Sequence, residues 1–521
     1  MSHPARRILL NFLALLLSLG AIGGAETLLR LFDIGPSNRL FLPTRDHREL
    51  TYAINPLAAH RFFQPQYLRH VPFDARFPAD KAPDTVRIFA LGASTLVGFP
   101  NPPETAFPHF LERMLADAYP DKRFEIINCG ITAINTFCLL DFAEEVLSYQ
   151  PDLLLIYAGH NEFVGPYGAT TPFVYFGDNR TMVRGLMHLQ SSRLYGVLRD
   201  IIRRVLPEPP QGRFGLHLVT RQVDILDDAY RAAGDNYRRN LETIIAAAAD
   251  RDVPVMLSTL VSNLKDFHPL RSACSELGGL STANLALRGE QSIKDKLGQS
   301  PYCAALHFEL GRYYYERRQS TQAQQAFVRA RDMDRLPFRA PTFFNQILHQ
   351  LTDDKDRVIL SDTEAAFRAA SPQGIIGSEL ITEHLHPTVY GHYLIARTMV
   401  ETLAPEDASR HWGQAELARL RPYDEYTRQI GYTLAQQVDR RNALILMLKQ
   451  MPYQQLPPML YRQITGLISH QIRDIPHLSS AEIAVFRSKG GDRFLRQMLE
   501  FATPGERAAL HEQLDALFMS S

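Results

Sequence analysis

The chain has 521 residues, with 56 Lys and Arg against 56 Asp and Glu, so its formal net charge is zero. That balance excludes the basic excess of a general nucleic-acid binder, and 45% hydrophobic residues suffice to bury a large core. Four cysteines, Cys129, Cys138, Cys274 and Cys303, show no zinc spacing and are too few in so long a chain for a disulfide scaffold. In an extracytoplasmic domain a Cys274–Cys303 bridge is one available pairing.

Arg6 and Arg7 precede an uncharged apolar run from Ile8 to Ala25, close to the roughly 20 residues that span a bilayer. Positive charge ahead of the run favours an inside N-terminus and an outside remainder. A signal peptide cut after Gly23-Gly24-Ala25 is the alternative. The helical pattern continues through Leu28, Leu29, Leu31 and Phe32, which favours an uncleaved transmembrane anchor over residues 1–35. Residues 36–85, rich in Pro, Arg and aromatics without a clear period, read as an irregular lead-in.

Regular alternation follows. Val86 to Leu91 is a short strand ended by Gly92, and Ala106 to Tyr119 a helix with Phe107, Phe110, Leu111, Met114 and Leu115 on one face. Phe124 to Asn128 is a second strand, Thr136 to Tyr149 a second helix, and Leu153 to Tyr157 a third strand, apolar on both faces. Tyr237 to Asp250 is a helix and Val253 to Leu260 a fourth strand. Continuous apolar strands alternating with helices predict a mainly parallel sheet covered on both faces, with ligands outside the carboxyl ends of the strands. Residues 264–355 read as a helical insertion, in which the stretch from His307 to Ala330 has the spacing of one tetratricopeptide-like hairpin. Residues 405–521 read as a helical C-terminal region.

Three motifs sit at predicted strand ends. Gly92-Ala93-Ser94-Thr95 follows the first strand, Gly130 the second, and Gly159-His160-Asn161-Glu162 the third. A fourth, Glu383-His384-Leu385-His386-Pro387, leads into a helical run from Gly391 to Leu403. Each alone has an ordinary explanation as a capped turn or polar loop. In this order they resemble the SGNH (GDSL-type) serine hydrolases. The resemblance covers residues 86–165 and 376–400, so that the catalytic domain divides into 86–263 and 356–404 around the insertion.

The resemblance implies a three-layer, flavodoxin-like α/β domain and acyl transfer without cofactor or metal. It gives Ser94 as nucleophile, His386 as base and Glu383 as the carboxylate three residues ahead of it. Ser94, Gly130 and Asn161 would form the oxyanion hole. The sequence departs from the family's Gly-Asp-Ser at Ala93 and from its Asp-x-x-His at Glu383; a backbone carbonyl is the alternative orienting group for His386. An α/β-hydrolase is disfavoured, because position 96 is Leu where Gly-x-Ser-x-Gly needs glycine.

The expected substrate is an ester-bearing small molecule or glycan, such as a carbohydrate or lipid O-acyl ester. O-acyl transfer onto an envelope glycan and a degenerate binding domain are the alternatives. A metallophosphoesterase using His384 and His386 is a further rival, but its motif is transposed and the only Asp-x-His nearby, Asp266-Phe267-His268, comes after it. The membrane is the expected partner of the N-terminal helix, and the insertion offers a surface to a protein partner. Arg193 to Leu206 reads as an amphipathic basic helix, packed on the sheet with a solvated face, with a place on anionic lipid near the anchor or a role as a lid as the alternatives. Arg339 reads as a surface residue, with an anionic substrate group as its alternative partner.

Overall fold

The computed structural model describes residues 3–46, 49–63, 75–171, 177–205, 221–274, 289–353, 357–405, 412–432 and 484. The helix α1 (His3–Leu31) is followed by three short strands, β1 (Phe41–Asp46), β2 (Glu49–Ile54) and β3 (Arg76–Pro78), which pair antiparallel. The segment expected to be irregular is therefore a small sheet. Pro43 and the charged Arg45 obscured its alternation, and its aromatic residues are what fix it. Phe41 meets Phe77 edge-on at 5.0 Å, and Phe77 meets Phe89 of the next strand at 5.3 Å.

The central sheet is built from β4 (Thr85–Gly92), β5 (Arg123–Asn128), β6 (Leu153–Tyr157), β7 (Val255–Ser258) and β8 (Val358–Ser361). All neighbours are parallel, in the order β5-β4-β6-β7-β8. This is the flavodoxin-like order, with its reversal between β5 and β6 around β4. Right-handed crossovers then place α3 (Phe107–Ala118) and α4 (Thr136–Val146) on opposite faces. α3 packs with α13 (Val389–Leu403), and α4 packs with α7 (Asp228–Ala249). Every residue of β4 and β6 is buried, as continuous apolar strands require. β8, four residues long among helices, carries too little pattern to be read from sequence.

Two charged residues fasten the small sheet to the large one. The Glu145 carboxylate on α4 accepts from the amides of Leu40 (2.7 Å) and Phe41 (2.9 Å). Arg87 on β4, fully buried, donates to Glu125 (2.9 Å), to the Tyr149 carbonyl (3.1 Å) and to the Pro78 carbonyl (2.9 Å).

The insertion has its own apolar cluster. α9 (Ala304–Glu316) and α10 (Ser320–Asp332) form a helical hairpin, with Phe308 against Phe327 at 5.3 Å. Gly311 allows the approach, since a Cβ there would lie 2.7 Å from the Phe327 ring. α8 (Glu290–Gln299) packs beside it, and Cys274 and Cys303 are joined as a disulfide. α11 (Thr342–Thr352), read from sequence as part of the insertion, belongs to the main core through Phe344, Ile347, Leu348 and Leu351. It is the crossover helix before β8, so the separate unit ends before it. Of the C-terminal region, Trp412 is buried against Tyr119 and Phe124, and α14 (Tyr423–Ile430) follows; the helices expected beyond lie outside the described residues.

Candidate active site

β4 ends at Gly92, where a Cβ would stand 2.3 Å from the Tyr157 carbonyl oxygen, so only glycine lets the chain turn beside β6. The turn delivers Ser94 as the first residue of the single-turn helix α2 (Ser94–Val97), closed by Gly98 at φ 84°. Its amide heads that turn, where helical bonding leaves the N–H over. On the other side, residues 381–387 form a tight loop pinned by an Ile381–Pro387 bridge and by the Thr382 amide donating to the His386 carbonyl at 2.7 Å. Thr388 then caps α13, accepting from the Gly391 amide at 3.0 Å. Asn101 donates to the Pro387 carbonyl at 3.0 Å and ties this loop to the serine turn.

The two loops bring Ser94 Oγ within 2.7 Å of His386 Nε2. His386 Nδ1 is hydrogen-bonded to Glu383 Oε1, which also accepts from the His386 amide at 3.0 Å. Oε2 of the same carboxylate accepts from the His384 amide. The longer Glu383 side chain is accommodated by folding back onto its own loop, where it holds Nδ1 of His386. Phe99 packs edge-on against the His386 ring at 5.0 Å. Burial pushes His386 down to about 3, so at neutral pH the imidazole is uncharged, its Nδ1–H given to Glu383 and its Nε2 lone pair facing the serine hydroxyl.

The expected oxyanion donors divide. The Gly130 amide donates to Asn128 Oδ1 at 2.9 Å, while Asn128 Nδ2 donates to the Leu96 carbonyl at 2.7 Å. Gly130 is nonetheless required sterically, because a Cβ would come within 2.6 Å of the Leu96 Cβ. The expectation that its N–H faces the oxyanion is corrected in this geometry, for the Asn128 side chain occupies it. Asn161 gives one amide hydrogen to the Ile134 carbonyl at 3.0 Å and retains the other. Glu162, buried, accepts from the Thr136 amide (3.0 Å) and hydroxyl (2.7 Å). It locks the Asn161 loop to the start of α4, and burial raises it to about 7 despite these bonds.

Two further residues differ from expectation or were missed. Arg339 is neither on the surface nor directed to substrate. It is buried, donates to the carbonyls of Asn263 (2.8 Å) and Phe267 (2.9 Å), and faces Asp334. His160 is buried and accepts from the Ala340 amide at 3.1 Å, coupling the third motif to the start of α11. Asn128 carried no signal, since an asparagine at a strand end is commonplace.

Glu383, His384 and His386 hold potential metal-ligand atoms within 4.8 Å of one another. Both ring nitrogens of His386 are committed, to Glu383 and to Ser94. Asp266 is engaged with Ser378 and Lys265, and His268 with the Pro269 carbonyl, so the Asp-x-His pair does not join this group. The arrangement suits a serine nucleophile with a buried neutral base.

No protein-family model and no curated protein matches the chain. Solved structures similar to it include a protein described as lipolytic and of the G-D-S-L family from Desulfitobacterium hafniense, at 11% identity and TM-score 0.27, covering 60% of this chain and 97% of that one. An acetylxylan esterase from Geobacillus stearothermophilus aligns at 12% identity and TM-score 0.27, covering 61% and 93%. A catalytic mutant of that esterase aligns at 13% and 0.28, covering 66% and 100%. Likeness at such TM-scores decides nothing about chemistry, which rests on the geometry of Ser94, His386 and Glu383.

Proposed function

We propose that this chain is a serine-dependent ester hydrolase of SGNH type, acting outside the cytoplasm on an O-acyl ester of a carbohydrate or lipid and held to the membrane by α1. The observation that carries the reading is the buried relay from Glu383 through His386 to Ser94. Ser94 Oγ attacks the ester carbonyl carbon as His386 Nε2 takes its proton, and Glu383 stabilises the imidazolium so formed. The carbonyl oxygen becomes an oxyanion, held by the Ser94 amide and by the second amide hydrogen of Asn161; the Gly130 amide joins them only if Asn128 turns away. Collapse expels the alcohol, which receives the proton from His386. Water then attacks the acyl-serine with His386 again as base, releasing the acid and restoring Ser94.

Two features support the compartment. α1 contains a 22-residue stretch, Leu10–Leu31, of mean hydropathy 1.8 with none of it buried. The Cys274–Cys303 disulfide suits an oxidising environment. The test is labelling of the full chain with a fluorophosphonate, followed by peptide mass mapping. An adduct on Ser94, lost in Ser94→Ala and His386→Ala, supports the reading. A folded chain that takes no label at Ser94 refutes it.

A further inference from the structure

The helix α6 (Arg193–Val205) is tied to the end of α1 at several points. Glu26, directly after the apolar run, accepts from the amides of Arg193 (3.0 Å) and Leu194 (2.9 Å), so a carboxylate of α1 caps the N-terminus of α6. Arg193 donates to Asp33 and to the Gly35 carbonyl, each at 2.7 Å. The backbones then close together. A Cβ on Gly35 would lie 2.8 Å from Val197 Cγ2, and one on Gly196 would lie 2.7 Å from Pro36. These contacts define the inward side of α6.

The outward side is apolar. Leu198, Ile201 and Ile202 are each 51% exposed and Val205 78%. At 100° per residue they fall within one arc of about 100°, opposite Gly196, with Val197 on its flank. Leu28, Leu31, Phe32 and Ile34 at the end of α1 are at least half exposed as well. Soluble surfaces seldom keep such a contiguous apolar strip open. Of its arginines, Arg193 is paired with Asp33 and the buried Arg199 with Asp200, which leaves the charges of Arg203 and Arg204 in surplus.

We propose that α6 lies in the interface of the bilayer beside the anchor, with Leu198, Ile201, Ile202 and Val205 sunk among the acyl chains and its surplus positive charge matched to anionic headgroups. The proposal rests on reading α1 as the membrane anchor. If α1 spans, Glu26 stands where the apolar run meets the headgroups, so α6 begins at that level whatever its sequence. Its strip faces lipid because the packed side is taken. The helix, 13 residues long, would cover about 20 Å of membrane surface.

The test uses the full chain in vesicles of phosphatidylcholine and phosphatidylglycerol, with a polarity-sensitive dye on Ile201→Cys or, separately, Leu16→Cys. Both positions are already exposed, and the native free cysteines, Cys129 and Cys138, are buried. Doxyl-labelled lipid should quench the Ile201→Cys dye by about two-fold or more, while aqueous iodide quenches it weakly. If Leu16→Cys is quenched by lipid but Ile201→Cys answers only to iodide, the inference falls and the anchor stands. If neither is quenched by lipid, the anchor reading fails and this inference with it.

Discussion

Replacing Glu383 by glutamine keeps the side chain's size and removes its charge. The carboxylate accepts from His386 Nδ1, from the His386 amide and from the His384 amide, and its Oε2 also meets His384 Nδ1. Glutamine has one oxygen to offer. With that oxygen toward His386, its NH2 meets the His384 amide, and a buried donor is left unpaired at about 1–3 kcal/mol. Turned the other way, the NH2 donates to Nδ1 and fixes the tautomer with Nε2 protonated, which cannot accept the serine proton. The imidazolium also loses its only buried counter-charge in this loop. In serine proteases the equivalent neutral substitution lowers turnover by about 10⁴, or roughly 5.5 kcal/mol. We expect the rate of fluorophosphonate labelling at Ser94 to fall by about 10³ to 10⁴ in Glu383→Gln. Glu383→Asp, which keeps the charge, should recover a measurable part, provided both variants unfold at a denaturant concentration near that of the parent. A folded Glu383→Gln chain labelled within about ten-fold of the parent rate would refute the relay.

The labelling rate should keep its neutral-pH value well below pH 6.5, because burial holds His386 uncharged there; an acid limb centred at 6.5 or above would count against a desolvated base. Acid should also destabilise the fold. His160, His268 and His386 are pushed down by burial to about 3, about 4 and about 3, and His384 is lowered as well. These groups stabilise the fold fully above about pH 6.5 and progressively less below it. Glu162 and Asp334, raised by burial to about 7 and about 6, act in the opposite sense, as do Glu112, Asp141 and Glu309, while burial lowers His109 and His307 as well; the histidines, with a higher ordinary range, lose more between pH 7 and 5. The denaturant midpoint should therefore be lower at pH 5 than at pH 7. Glu162→Leu should cost about 1–3 kcal/mol in denaturant unfolding, since it takes the acceptor from the Thr136 amide and hydroxyl hydrogens, although the hydroxyl oxygen still accepts from Asn240. Denatured without reductant, the chain should show two thiols to a thiol reagent, from Cys129 and Cys138, with two more appearing on reduction.

The strands and helices that carry the motifs were legible because their patterns are local. β6 and the apolar face of α3 could be read directly, and Ser94, Asn161 and His386 stand at the strand and helix ends where chemistry was sought. What escaped depends on distant partners. β1 to β3 hold through aromatic contacts with Phe89 and Tyr149 rather than through alternation. α11 has the same amphipathic spacing as the hairpin before it, and only the fold assigns it to the sheet. Arg339 looks like any arginine near a proline until Asp334 and two carbonyls are placed around it. The Gly130 amide could be given to an oxyanion only while the Asn128 side chain was out of view.

The bonds from Glu145 to Leu40 and Phe41 bear on reach. Were α1 a membrane anchor and residues 36–85 a free tether, their end would wander over about 35–40 Å, and Ser94 would range over a hemisphere of that radius. Fastened within ten residues of α1, the α/β domain instead stands on a strut. If α1 is the anchor proposed above, Ser94 stands at one set height, and an ester would be accessible according to how far it projects from the bilayer. Residues inserted after Asp46, beyond the Glu145 clasp, would leave that distance unchanged, whereas loosening it would require opening the clasp together with the bonds from Glu26 and Asp33 to Arg193.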